Sequence, residues 1–287
     1  MKRVLARALG YGRMIRFSHS VFALPFALTS AALASRGEGV SGHQVLWIVL
    51  AMVTARSAAM GWNRLVDQAI DARNPRTAGR ALPRGVLSRA EVWGFVCLSS
   101  AGFCLAAAML NPLCLALSPV ALLIVFGYSY TKRFTAASHL VLGLSLAVGP
   151  VGAWLAIRGR FEVVPLVLAA AVLLWVAGFD TIYACQDVEF DRREGLRSIP
   201  ARVGVARGLA LARAMHVGSV GFLFGLFWLF PLHPLYLGGV ALVAALLAWQ
   251  HTLVSADDLS RVMQAFNING WVGLAYFAST AVAAWLA

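Results

Sequence analysis

The sequence predicts an all-α, polytopic membrane protein, with about nine transmembrane helices. Three observations carry this. Of 287 residues, 60% are hydrophobic and only 13% are charged, against about 25% charged in soluble domains. Apolar stretches close to the roughly 20 residues that a bilayer core demands of a helix recur along the whole chain. Lys and Arg collect in alternate connectors between those stretches, as the positive-inside rule requires.

The expected spans are 18–34, 44–66, 91–109, 113–131, 139–157, 163–184, 209–230, 234–253 and 268–287. A basic leader precedes the first span without an evident small-residue cleavage site, so that span is expected to stay in the membrane. Pro25, Pro119, Pro150 and Pro165 open or interrupt spans, which membrane helices tolerate where neighbours re-satisfy the backbone. Gly143, Gly149 and Gly152 suit close helix packing. Cys97, Cys104, Cys114 and Cys185 lie in apolar stretches without metal-ligand spacing and read as small core residues.

The net charge of +12 does not point to nucleic acid. The basic residues sit at the N-terminus and in the connectors after spans 2, 4, 6 and 8, whereas the opposite side carries only Arg36, Arg158 and Arg160. The basic side is therefore expected to be cytoplasmic, in the cell's inner membrane, with the bilayer as a standing partner. The two longest connectors, about 67–90 and 185–208, both lie on that side. They follow spans 2 and 6, so 1–287 reads as one domain of two four-helix halves plus a ninth helix.

These two connectors hold the chemistry. Asn63, Asp67 and Asp71 are spaced four apart, which places them on one helix face. Asp187 and Asp191 repeat the spacing, and arginines flank both sets: Arg76 and Arg80 after the first, Arg192 and Arg193 after the second. One such pair alone is most simply a solvated ion pair. Two copies on one side, each beside basic residues, point to a site for divalent cations and a polyanion. Two like charges 4 Å apart repel by about 1 kcal/mol in water and about 4 at an effective dielectric near 20, and a cation removes that cost. Mg2+ suits oxygen ligands that it shares with substrate phosphates. Arginine and Lys132 suit phosphate oxygens. Tyr128 shares a face with Lys132. Arg56 and Asp180 lie seven residues before Asn63 and Asp187, about two turns deeper, where an ionisable group is costly and marks a cavity. The six histidines lack metal spacing and read as surface or packing residues.

At these residues the chain resembles the UbiA family of intramembrane aromatic prenyltransferases. N-x-x-x-D-x-x-x-D is met by Asn63, Asp67 and Asp71. The following basic segment is met by Arg76, Thr77, Arg80, Leu82, Pro83 and Gly85, with R-A-L-P in place of the usual R-P-L order. D-x-x-Y-A-x-x-D-x-x-x-D is met by Asp180, Tyr183, Ala184, Asp187 and Asp191, Y-x-x-x-K by Tyr128 and Lys132, and an arginine ahead of the first span by Arg16. The resemblance implies nine helices around a cavity open to the membrane, with Mg2+ as cofactor. It implies a polyprenyl diphosphate donor and an aromatic acid acceptor. Asp67, Asp71, Asp187 and Asp191, helped by Asn63, are the expected metal ligands and catalytic residues. Arg76, Arg80, Lys132 and Tyr128 are expected at the diphosphate, and Arg16, Arg56 and Asp180 at the acceptor.

Within the family, the segments around both motifs are similar to the branch that prenylates 4-hydroxybenzoate or 1,4-dihydroxy-6-naphthoate for ubiquinone or menaquinone. The naphthoate is slightly ahead on this reading. Relatives acting on a haem or chlorophyll precursor remain the alternative. A transporter is the non-enzyme rival, but transporters hold their ions near the bilayer midplane, whereas these motifs lie at one edge.

Overall fold

Small polar residues start and stop the helices. Ser41 and Ser88 each accept a hydrogen bond from the backbone of Gln44 and Glu91, whose side chains return it to the cap. These reciprocal boxes satisfy backbone donors that a helix end leaves orphaned. Asn111 ends one helix and caps the next. The computed structural model describes residues 24–287. The helices are α1 (Leu24–Ala34), α2 (Gly42–Arg73), α3 (Arg89–Leu110), α4 (Pro112–Thr131), α5 (Ser138–Arg158) and α6 (Val163–Ala184). They continue as α7 (Val188–Arg193), α8 (Ile199–Val203), α9 (Val205–Leu229), α10 (Leu235–Thr252) and α11 (Val262–Trp285). No strand occurs among the described residues.

Seven described helices are long and apolar enough to cross a bilayer. The first expected span falls partly outside the described residues, and its described part is the 11-residue α1. The ninth corresponds to α11, which has 24 residues but carries Gln264, Asn267 and Asn269. Asn269 is buried and accepts a hydrogen bond from Trp175 Nε1 at 2.8 Å, so its polarity is satisfied inside the bundle. The bundle is all-α as expected, although nine crossing helices are not counted among the described residues.

The helices pack in a ring. α2 lies against α3 and α4, α4 against α5, and α5 against α6. The ring continues through α9, α10 and α11 to α1, which sits between α11 and α5. One large core joins α1, α6, α9, α10 and α11 around Trp175, Tyr236 and Tyr276. The outer surface is apolar: Leu98, Leu123 and Val217 are each more than 70% exposed, as a lipid-facing belt requires. Cys97 is exposed and Cys104 and Cys114 are half-buried, so only Cys185 is a core cysteine. An apolar stretch reads alike whether it faces lipid or protein, which is why the other three looked internal.

Because lipid tails are as apolar as leucine, such bundles hold together by close approach and hydrogen bonds. At Gly143 an added Cβ would lie 2.2 Å from the Leu173 carbonyl oxygen, so only glycine lets α5 and α6 come this close. Gly149 faces Met52, while Gly152 meets nothing and has no such role. Pro119, within α4, withholds the N–H that the Leu115 carbonyl would accept. The Ser118 hydroxyl donates to that carbonyl at 2.8 Å instead.

α2 has 32 residues, hence a length of roughly 48 Å, well beyond the roughly 30 Å hydrocarbon layer. Its last turns carry Asp67 and Asp71 out to the bilayer edge. The following segment is not a loose loop. Leu82 and Leu87 are buried against Leu65, Val92 and Val96, and Thr77 Oγ1 donates to the Asp71 carbonyl at 3.0 Å.

Candidate active site

A cavity of about 730 Å³ opens between α2, α4, α5 and α6. Its lining includes Asn63, Asp67, Asp71, Arg76, Arg80, Tyr128, Lys132, Asp180, Asp187 and Asp191, and also Arg56. The structure thus brings together every candidate site residue that falls within the described residues. Arg16 lies outside them. Polar groups gather at the end where α2, α4 and α6 finish, and the remainder of the wall is largely apolar.

The two aspartate pairs are built differently. Asp67 and Asp71 lie on the continuous α2 and are both buried. The second pair is not on one regular helix. α6 ends at Ala184, a 3-10 turn spans Cys185–Asp187, and Asp191 belongs to α7. Equal spacing in sequence therefore stands on unequal backbone.

Each carboxylate is held by donors. Asp67 receives Lys132 Nζ at 2.5 Å, Arg133 Nη2 at 3.0 Å and Asn63 Nδ2 at 3.0 Å. Asp71 receives Arg80 Nη1 at 2.7 Å and has Arg64 at 3.8 Å. Asp187 receives the Nε and Nη2 of Arg76, one on each oxygen, the Nε contact being 3.0 Å, and Asn74 Nδ2 at 3.3 Å. Asp191 accepts from Ser198 Oγ at 2.7 Å. Arg76 also donates to the Tyr183 hydroxyl at 2.7 Å, with its guanidinium 5.0 Å from the ring centroid. Burial works against the Arg76 charge, yet the hydrogen bond to Asp187 and the nearby Asp187 and Asp71 carboxylates outweigh it and raise its pKa. Arg76 is a permanent cation here.

Asn63 acts as a neighbour of Asp67 rather than as a free amide oxygen: its Oδ1 accepts from Arg64 Nη1 at 3.1 Å. Arg133, Asn74 and Ser198 were not singled out from sequence. Arg133 follows Lys132 directly, and that adjacency was the available signal. His139 is a correction. It does not merely pack, for its Nδ1 lies 2.7 Å from Asp180 Oδ2. Asp180 and Arg56 are not a pair with each other. Arg56 Nε is buried without a hydrogen-bond partner among the described residues. A guanidinium with an unused donor, facing a cavity, is arranged to receive an anion.

As a metal site the donor set is hard and open. Among the described residues, no three His, Cys, Asp or Glu side chains converge into a ready-made cage. Carboxylate oxygens are there in pairs, with cations ready to exchange onto phosphate. That fits Mg2+, which binds through one or two carboxylates plus substrate phosphates, better than a dedicated all-protein site.

The sequence and the fold are both similar to those of known proteins. A 4-hydroxybenzoate octaprenyltransferase of Saccharophagus degradans is 31% identical over 96% of this chain and 93% of its own length. The apo structure of a UbiA homologue from Aeropyrum pernix K1 superposes with a TM-score of 0.85 at 35% identity, over 92% of this chain and 98% of that one. A UbiA homologue from Archaeoglobus fulgidus, bound to GPP and Mg2+, shares the fold at a TM-score of 0.72 and 20% identity, over 95% and 99% of the two chains. The UbiA prenyltransferase family profile matches residues 23–274, and the chain belongs to that family.

Proposed function

We propose that this protein transfers a polyprenyl group from a polyprenyl diphosphate to a ring carbon of a hydroxy-aromatic acid. The observation that carries this is the cavity itself. It has five carboxylates (Asp67, Asp71, Asp180, Asp187 and Asp191) and four cations (Arg64, Arg76, Arg80 and Lys132), a long apolar wall, and the further cation Arg56 set apart on α2. A diphosphate fits the first region, an isoprenoid tail the second, and an acid the third.

When bound, Mg2+ would neutralise charge building on the leaving diphosphate, a stabilisation worth several kcal/mol. Asp67, Asp71, Asp187 and Asp191 are the residues that would hold it, with Asn63 keeping Asp67 in place. Arg76, Arg80 and Lys132 now pair with Asp187, Asp71 and Asp67 and are in reach to turn to phosphate oxygens, with Tyr128 beside them. The diphosphate leaves with the allylic C–O electron pair. The cationic prenyl carbon is then attacked by the ring carbon beside the acceptor's hydroxyl, and loss of that carbon's proton restores the ring. The apolar wall keeps water from the cation.

The acceptor carboxylate is assigned to Arg56 and its hydroxyl side to Asp180, with Arg16 a further candidate cation. The Saccharophagus relative is named for 4-hydroxybenzoate, which supports that acid over 1,4-dihydroxy-6-naphthoate in this reading. The basic end is read as cytoplasmic, in the inner membrane of the cell. Purified protein supplied with one prenyl diphosphate and either acid tests the reading. Mg2+-dependent prenylation of one acid is expected. Arg56→Gln should raise that acid's KM roughly tenfold or more and leave the KM of the diphosphate unchanged. Diphosphate consumption with neither acid would overturn the assignment, and a KM change confined to the diphosphate would move Arg56 to the donor.

A further inference from the structure

His139 opens α5 one residue inside its start and is almost fully buried. Two contacts define its ring. The peptide N–H of Ile199 points at its Nε2 at 3.3 Å, and its Nδ1 lies 2.7 Å from Asp180 Oδ2. A peptide N–H can only donate, so Nε2 must be the unprotonated nitrogen. The proton of the neutral ring is then on Nδ1, and Nδ1 donates it to the carboxylate. The tautomer is fixed from outside the cavity by the backbone, as the second partner of a histidine generally does.

Ile199 is not an arbitrary neighbour. It follows Ser198, which caps α8 and whose hydroxyl donates to Asp191 at 2.7 Å. Two consecutive residues thus tie the second aspartate motif to His139, and His139 ties them to Asp180. One carboxylate oxygen of Asp180 is occupied by the ring. Its side chain is 21% exposed and lines the cavity.

We propose that His139 is a positioning residue: its tautomer, locked by the Ile199 peptide, holds the Asp180 carboxylate turned so that its free oxygen accepts the hydrogen bond of the acceptor's ring hydroxyl. That hydrogen bond raises electron density on the ring carbon that attacks. The inference rests on the reading of Asp180 as the acceptor-side carboxylate. His139 itself touches neither substrate.

The test uses the full-length protein in detergent, geranyl diphosphate, and whichever acid the side-by-side assay selects. His139→Phe keeps the ring volume and removes both contacts. It should lower kcat/KM for the acid roughly ten- to hundredfold, the worth of a hydrogen bond to a charged group, with the KM of geranyl diphosphate unchanged. His139→Gln can accept from Ile199 through its oxygen and donate to Asp180 through its nitrogen, and should stay within about threefold of the parent. Ile199→Pro removes the locking N–H at the first position of α8, where proline is well tolerated, and should reproduce the acceptor-specific loss without touching His139 or Asp180. In the Asp180→Asn background, His139→Phe should cost nothing further. Equal losses in the Phe and Gln variants, or a rise in the diphosphate KM, would reduce His139 to packing and overturn the proposal. So would an unimpaired His139→Phe. If Asp180→Asn alone keeps full turnover, the reading of Asp180 has failed instead.

Discussion

Arg76 and Asp187 lie 111 residues apart in sequence and meet edge to edge, Nε to Oδ1 at 3.0 Å. The connector behind the first aspartate motif thereby closes onto the second motif. A neighbouring pair, Arg73 and Glu194, ties the same two segments at 2.7 Å. The cavity's polar end is a seam between two stretches, the first supplying arginines and the second the carboxylates they meet.

Removing the Arg76 cation should show in the donor alone. Arg76→Gln loses a charge-assisted contact, worth about 1.5–3 kcal/mol, so the KM of the prenyl diphosphate should rise roughly ten- to hundredfold. The KM of the acid should stay where it is. Initial rates with each substrate varied in turn check this, and an unchanged diphosphate KM would remove Arg76 from the donor site.

Both aspartate pairs should be needed. Asp67→Ala and Asp191→Ala should each lower turnover by orders of magnitude while the protein still inserts and elutes as a folded species in detergent. Chelation of Mg2+ should abolish the activity of the parent, and returning the ion should restore it. Near-normal turnover of either variant would leave that pair without a metal role.

The basic end should face the cytoplasm. The structure offers exposed positions for labelling, Val86 and Arg193 on that end and Val40 on the other. Ser88 and Ser198 are unsuitable, since both cap helices and Ser198 holds Asp191. With the four native cysteines replaced, Val86→Cys and Arg193→Cys should react with a membrane-impermeant thiol reagent only in opened cells, and Val40→Cys in intact ones. The reverse pattern would invert the topology.

The one-dimensional features were readable from residues alone. Apolar length fixes which segments are helices in a bilayer, because only a helix satisfies its own backbone there. Four-residue spacing places Asn63, Asp67 and Asp71 on one face because α2 runs unbroken past all three. Spacing could not show the 3-10 turn that ends at Asp187, just before the helix carrying Asp191, since identical intervals fit more than one local backbone. Nor could it tell the exposed Cys97 from the buried Cys185, because both environments are apolar. What only the tertiary structure decided is which donor each charge meets. Arg133 on Asp67, Asn74 on Asp187, and the chain from Ile199 through His139 to Asp180 join segments dozens of residues apart. A hydrogen bond depends on distance and direction in space, and neither is written in the order of residues along a chain.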